Sequence, residues 1–166
     1  MKKLFFLLLA LALPVLAGAQ TRFGYFSYST VLTSMPDYQL AKRSVDDLRL
    51  KYDAEMKRAE QEFNAKYEEF LEVQRDLVPS ILRKRQGELQ DMIEKNIAFR
   101  NDAQQLLKQA ETDAYAPVKR KLGEAVEKVG RERGYALVLN TDGDACPYVN
   151  PEMGEDATEA IKEAIK

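Results

Sequence analysis

Two long stretches of the chain repeat apolar residues at intervals of three and four. In the first, Val45, Leu48, Tyr52, Met56, Ala59, Phe63, Tyr67, Phe70 and Leu77 recur along one side. They fall within a sector of roughly 100° on a helical wheel. After Pro79 the pattern restarts with Ile81, Leu89, Met92, Phe99, Ala103, Leu106, Leu107, Ala110 and Ala114. Between residues 38 and 116 the only helix breakers are Gly87 and Pro79, and Ala, Glu, Lys, Leu, Arg and Gln dominate. The pattern predicts two amphipathic helices, 38–78 and 80–116. Asp37 is expected to cap the first and Ser80 the second. Proline inside a helix costs ~3 kcal/mol or more, so the break belongs at Pro79.

Neither helix can bury its stripe alone in water. Two arms of nearly equal length around one breaker predict an antiparallel hairpin, each stripe covering the other. A single kinked rod in a parallel oligomer is the competing arrangement. The hairpin sets a register that places Leu48 near Ala110 and Glu111, and Phe63 near Asn96.

Outside the arms the pattern shortens. Arg22 to Tyr28 is dense in aromatics and reads as a strand, with Ser29 to Val31 extending it or opening a short helix. Val118, Leu122, Ala125, Val126 and Val129 carry a further helical face past Pro117, which Gly134 is expected to stop in the left-handed conformation. Tyr135 to Asn140 reads as a buried strand, Thr141 to Asp144 as a turn, and Ala145 to Val149 as an edge strand. Asp156 is expected to cap a last helix, with Glu159 at its third position. The fold class is therefore α+β, a small sheet body with a long helical hairpin inserted: 20–37 and 117–166 form the body and 38–116 the arm. So small a sheet has open edges and little core, which predicts association with copies of itself.

The first nineteen residues stand apart. Lys2 and Lys3 precede the apolar run Leu4 to Leu13, Pro14 ends it, and Ala17-Gly18-Ala19 is a small-x-small site. A signal peptide cleaved after Ala19 is expected, and with it export to an oxidising compartment. Removing it leaves 23 basic against 27 acidic residues, a balance that offers no global field to nucleic acid.

Composition narrows the chemistry. The chain has no His and one Cys, Cys146. That removes the common triad base, most zinc sites and any intrachain disulfide. Asp142-Gly143-Asp144 invites a calcium reading, but the loop positions that need an oxygen ligand, glycine and glutamate hold Cys146, Pro147 and Met153. No phosphate-cradling glycine loop occurs. The expectation is no enzyme, no cofactor and no metal. Two surfaces remain as candidates. Leu50, Leu71, Ile93 and Ile97 lie off or at the edge of the main stripes, either as singly exposed apolar residues, which are common, or as a second, weak apolar surface for contacting other chains. Arg75, Arg83, Lys84 and Arg85 gather beside Pro79, at the hairpin tip, either as a solvated charged face or as a contact for anionic lipid headgroups or an acidic partner.

The segments FGYFSYSTVLTSMPDY, APVKRKLGEAVEKVGRERGYALVLN and DATEAIKEAI, with a long charged helical stretch between the first two, resemble the Skp/OmpH family of periplasmic chaperones. The likeness runs from about Phe23 to Ile165 and is most specific at Pro117 to Asn140. It implies a homotrimer whose body is a β-barrel and whose three tentacles enclose a cavity. It also implies a periplasmic, ATP-independent holdase for unfolded outer-membrane proteins, with no catalytic residues to carry over. The best-known members are basic and this chain is acidic, so nothing about lipopolysaccharide is carried over. The alternative is a structural or adaptor coiled-coil protein of the envelope with a folded partner.

Overall fold

The computed structural model describes residues 22–144 and 146–166. The expected signal peptide lies outside these residues. The chain divides into two compact units, one of residues 22–35 with Lys119–Lys166, the other Pro36–Val118.

The first unit holds a three-stranded parallel sheet. Its strands are β1 (Phe23–Phe26), β2 (Leu137–Asn140) and β3 (Gly154–Asp156), in the order β2-β1-β3. Phe23 lies opposite Leu137 on one side and Gly154 on the other, so β1 is central and β2 and β3 are each paired on one side only. Gly24 is needed for close packing: a Cβ there would meet the Tyr135 ring at 2.7 Å. Helices α1 (Tyr28–Ser34), the end of α3 (Pro79–Glu132) and α4 (Thr158–Ile165) supply most of the core. Leu122, Ala125 and Val129 form one buried stripe and Ala157, Ile161 and Ile165 another, with Phe26, Val31 and Met35 also buried. Gly134 ends α3 at φ 65°. Its N–H reaches the Arg131 carbonyl, and the Tyr135 N–H reaches that of Gly130 at 2.9 Å, the paired closure that a left-handed glycine permits.

Three strand and cap expectations are corrected here. The third strand is Gly154–Asp156; residues 146–150 have no regular structure, and Ala145 lies outside the described residues. Pro147 has no N–H for a ladder, and Tyr148 is left 76% exposed. Gly154 instead brings the backbone close under the Phe23 ring. The first strand stops at Phe26, because the Ser27 hydroxyl accepts from the Thr30 N–H at 3.1 Å and Tyr28 opens α1. Asp156 belongs to β3 and Ala157 takes the cap position, although the Asp156 carboxylate still accepts from the Thr158 N–H at 2.9 Å.

The second unit consists of α2 (Pro36–Val73), 38 residues long, and the stretch of α3 from Pro79 to Val118. Both helices open on proline. That moves Asp37 and Ser80 inside the first turn, not to the caps, since proline's missing N–H costs nothing there. Contacts pair distant residues in reverse order. Tyr38 stacks on Tyr115 with ring centres 5.3 Å apart, and Tyr52 meets Phe99 at 6.1 Å. Arg49 binds Glu111 at 2.5 Å, and the Asn96 side-chain amide donates to the Ala59 carbonyl at 3.4 Å. Only Val45, Ala103 and Val118 are buried here; Met56, Phe63, Phe70 and Phe99 are partly buried. Two packed helices leave both flanks of the stripe open to solvent. Helix α3 runs through Pro117 without interruption, and the carbonyl of Asp113 has no proline N–H to accept.

Candidate functional site

Within the second unit, Leu50 is 66% exposed, Ile97 55%, Leu71 45% and Ile93 38%. All four lie on solvent faces of α2 and α3. Ile93 and Ile97 share a cavity of about 190 Å³ with Met56, Phe63, Asn96 and Phe99, while Leu50 and Leu71 stand apart from it. Phe63 and Asn96, which the expected register sets side by side, are both walls of this cavity.

Ion pairs within single helices cover much of the remaining surface. Arg58 bridges Glu55 at 2.5 Å and Glu62 at 3.6 Å, and Lys42 binds Asp46 at 2.5 Å. Exposed pairs of this kind add little to a helix. The basic residues beside Pro79 are partly neutralised in the same way: Glu88 takes Arg85 at 3.0 Å and Lys84 at 3.7 Å. Arg75 and Arg83 are exposed.

Sequence reasoning missed the exposed apolar side chains around the turn between α2 and α3, namely Val73, Val78 and Ile81. The signal was present. Leu77, Val78, Ile81 and Leu82 crowd around the break, where two helix ends offer less cover than two helix middles.

In the first unit, polar chemistry serves to hold the sheet. The Asp142 carboxylate accepts from the Ser27 hydroxyl at 2.7 Å and from the Ser29 N–H at 2.6 Å. The Ser27 bond first, then the Ser29 amide, holds its carboxyl below the usual range. Asp142 thus ties the turn after β2 to the start of α1, with Gly143 at φ 73° closing the turn. Glu155 on β3 pairs with Arg133 and with Arg22, the latter at 3.3 Å. The Tyr135 hydroxyl is buried without a partner of ordinary hydrogen-bond geometry. It lies close enough to Glu155 to help hold that carboxyl low, and Arg133 adds to the effect. Among the described residues no group of three or more His, Cys, Asp or Glu is placed to hold a metal ion, and no helix is long and apolar enough to cross a membrane.

The chain combines a small parallel sheet with very long amphipathic helices that leave apolar side chains exposed. A sequence model of the outer membrane protein (OmpH-like) family matches residues 22–165, and the chain belongs to that family. Among solved structures it is similar to a candidate outer membrane chaperone (OmpH-like) of Caulobacter crescentus CB15. The TM-score is 0.69 at 16% identity, over 86% of this chain and 82% of the other. That likeness establishes a shared fold. A search of the curated proteins finds no match.

Proposed function

We propose that this protein is a periplasmic, ATP-independent holdase that binds unfolded outer-membrane β-barrel proteins between helical arms and keeps them from aggregating. The observation that carries the reading is the exposure of large apolar side chains on long helices in a chain of the OmpH-like family. The arms are antiparallel hairpins of α2 with the first part of α3. The body is an oligomerisation module, because β2 and β3 each offer an unpaired edge that a second copy can take. Three copies would complete a barrel-like body and surround a cavity with three arms. Leu50, Leu71, Ile93 and Ile97 make the client contacts, each weak and together useful through multivalency. Arg75, Arg83, Lys84 and Arg85 are available for transient contact with a membrane surface. No enzymatic step is part of this reading.

The mature chain is acidic, so capture rests on apolar contact and not on charge. Diluting a urea-unfolded outer-membrane barrel protein into buffer with the purified mature protein tests this by light scattering at 350 nm. Near-stoichiometric suppression that persists in high salt is expected, because screening removes charge attraction and leaves apolar burial intact. Scattering equal to the client alone at every salt concentration contradicts the holdase. Capture of one folded envelope protein in place of unfolded clients would favour an adaptor.

A further inference from the structure

β3 is an edge strand of three residues, Gly154-Glu155-Asp156, with no apolar side chain of its own to bury. The stretch that leads into it, 141–153, contains no helix or strand among its described residues, and Tyr148 and Met153 within it are largely exposed. Apart from the Phe23 ring against Gly154, apolar contact does little to keep β3 on the sheet.

Polar side chains do that work. Glu155 lies opposite Gly24 of β1, and Val138 of β2 lies opposite Gly24 on its other side. Partners across a parallel ladder share one face of the sheet. Gly24 has no side chain on that face, and the Tyr135 ring lies there instead, where a Cβ would meet it at 2.7 Å. Tyr135, just before β2, therefore reaches over β1 toward Glu155 of β3, and its buried hydroxyl has no partner elsewhere. Arg133, just beyond α3, pairs with the same carboxylate, and Arg22, just before β1, approaches it at 3.3 Å. These three are the charged and titratable groups that face Glu155. Its neighbour Asp156 turns away to accept from the Thr158 N–H at 2.9 Å.

We propose that Glu155 is an acid-released latch: its ionised carboxylate keeps β3 on the sheet, and protonation frees β3 and the 141–153 stretch while the helices of the body stay folded. A carboxylate holds two guanidinium groups only while it is charged. The Tyr135 hydroxyl first, then Arg133 and Arg22, hold the Glu155 carboxyl below its usual range against its partial burial. A carboxyl lowered by folding contributes its full stability above the unfolded value, ~4.3 for glutamate, and loses it as pH falls through the lower folded value. Helix α4 keeps its anchor when β3 leaves, because Ala157 is fully buried and its N–H donates to the Tyr25 carbonyl at 2.9 Å. Release exchanges an edge carrying Glu155 and Asp156 for the aromatic edge of β1, with Phe23 and Tyr25, and so changes what the body offers to a second copy. The latch does not depend on the holdase reading.

Hydrogen exchange of the full mature protein, read by mass spectrometry at pH 7, 5 and 3.5, tests it, with each rate divided by the free-chain rate at that pH. In wild type, residues 150–157 are expected to lose protection by at least about tenfold between pH 7 and 3.5. Glu155→Gln is expected to show that loss already at pH 7 and to change by less than about twofold on acidification. Tyr135→Phe is expected to move the wild-type transition to higher pH, since it removes one of the groups that hold the carboxyl ionised. Residues 119–130, which carry the buried stripe of α3, are expected to stay protected in Glu155→Gln at pH 7. Wild-type protection of 150–157 in Glu155→Gln at pH 7 overturns the latch, and so does an unmoved transition in Tyr135→Phe. Simultaneous loss of protection at 119–130 and 150–157, in wild type on acidification or in Glu155→Gln at pH 7, also overturns it, because Glu155 would then support the whole body and not β3 alone.

Discussion

Replacing Leu50, Leu71, Ile93 and Ile97 together by serine is expected to weaken client binding by between about thirty- and a thousandfold while leaving the protein folded. The four side chains are 38–66% exposed, so their loss removes little from the fold. Exposed substitutions of this kind usually change stability by no more than about 0.5 kcal/mol each. Their value lies in the complex. Full burial of a large aliphatic side chain is worth ~1.5–3 kcal/mol, and a mobile client realises only part of it. At ~0.5–1 kcal/mol for each contact, four contacts amount to ~2–4 kcal/mol, which gives the stated range at ~1.4 kcal/mol per tenfold. Titrating a fluorescent unfolded barrel protein with wild type and variant, and checking helix content by circular dichroism, measures both halves. Unchanged affinity in a fully helical variant would remove these residues from the client surface.

Leu122→Ala is expected to destabilise the body by ~2–5 kcal/mol. Leu122 has no exposed surface and sits in the stripe with Ala125 and Val129. Truncation there loses the transfer energy of the removed carbons and leaves a cavity that neighbours fill only in part. A small domain has ~5–15 kcal/mol to lose, so this one change takes a large share. Leu106→Ala is the internal control: Leu106 also lies on α3 but is 54% exposed, and its truncation is expected to shift stability by less than about 1 kcal/mol. Urea denaturation of both variants at equal chain concentration compares them without the bias that association would introduce. Equal losses would mean that the buried stripe of the body is misassigned.

The long helices could be read from the sequence because amphipathic periodicity repeated many times outweighs local ambiguity. Three of their four ends fall within five residues of expectation, but α3 continues through Pro117 to Glu132 and not to the expected end at Ala116, because the proline was given the weight of a breaker. The shift of Asp37 and Ser80 into the first turn came from giving weight to polar caps over the proline beside each. Gly134 was readable because a lone glycine after a helical stripe has one common physical use. β3 was not readable. Gly154-Glu155-Asp156 has no apolar residue, and it forms a strand only because Gly154 fits under Phe23 and Glu155 meets Arg133 and Arg22 from distant parts of the chain. The apolar run 145–149 drew the strand expectation away from it. Of the candidate surfaces, Leu50 and Ile97 stood out as off-stripe positions in the helical wheel. The exposed apolar side chains at the turn did not, because Ile81 belongs to the stripe expected to be covered. The wheel describes two straight cylinders and carries no information about how completely their ends meet.

All of this depends on α2 and the first part of α3 lying side by side within one subunit. Spin labels on cysteines at Glu60 and Arg100, in a Cys146→Ser background diluted with unlabelled chain, measure that directly. Both positions border the cavity that contains Phe63 and Asn96, and an intrasubunit distance below about 25 Å is the predicted result, counting the reach of two labels on helices packed ~8–10 Å apart. On one continuous rod a separation of forty positions would hold them ~60 Å apart, and a distance of that order would contradict the paired arm and the client surface built on it.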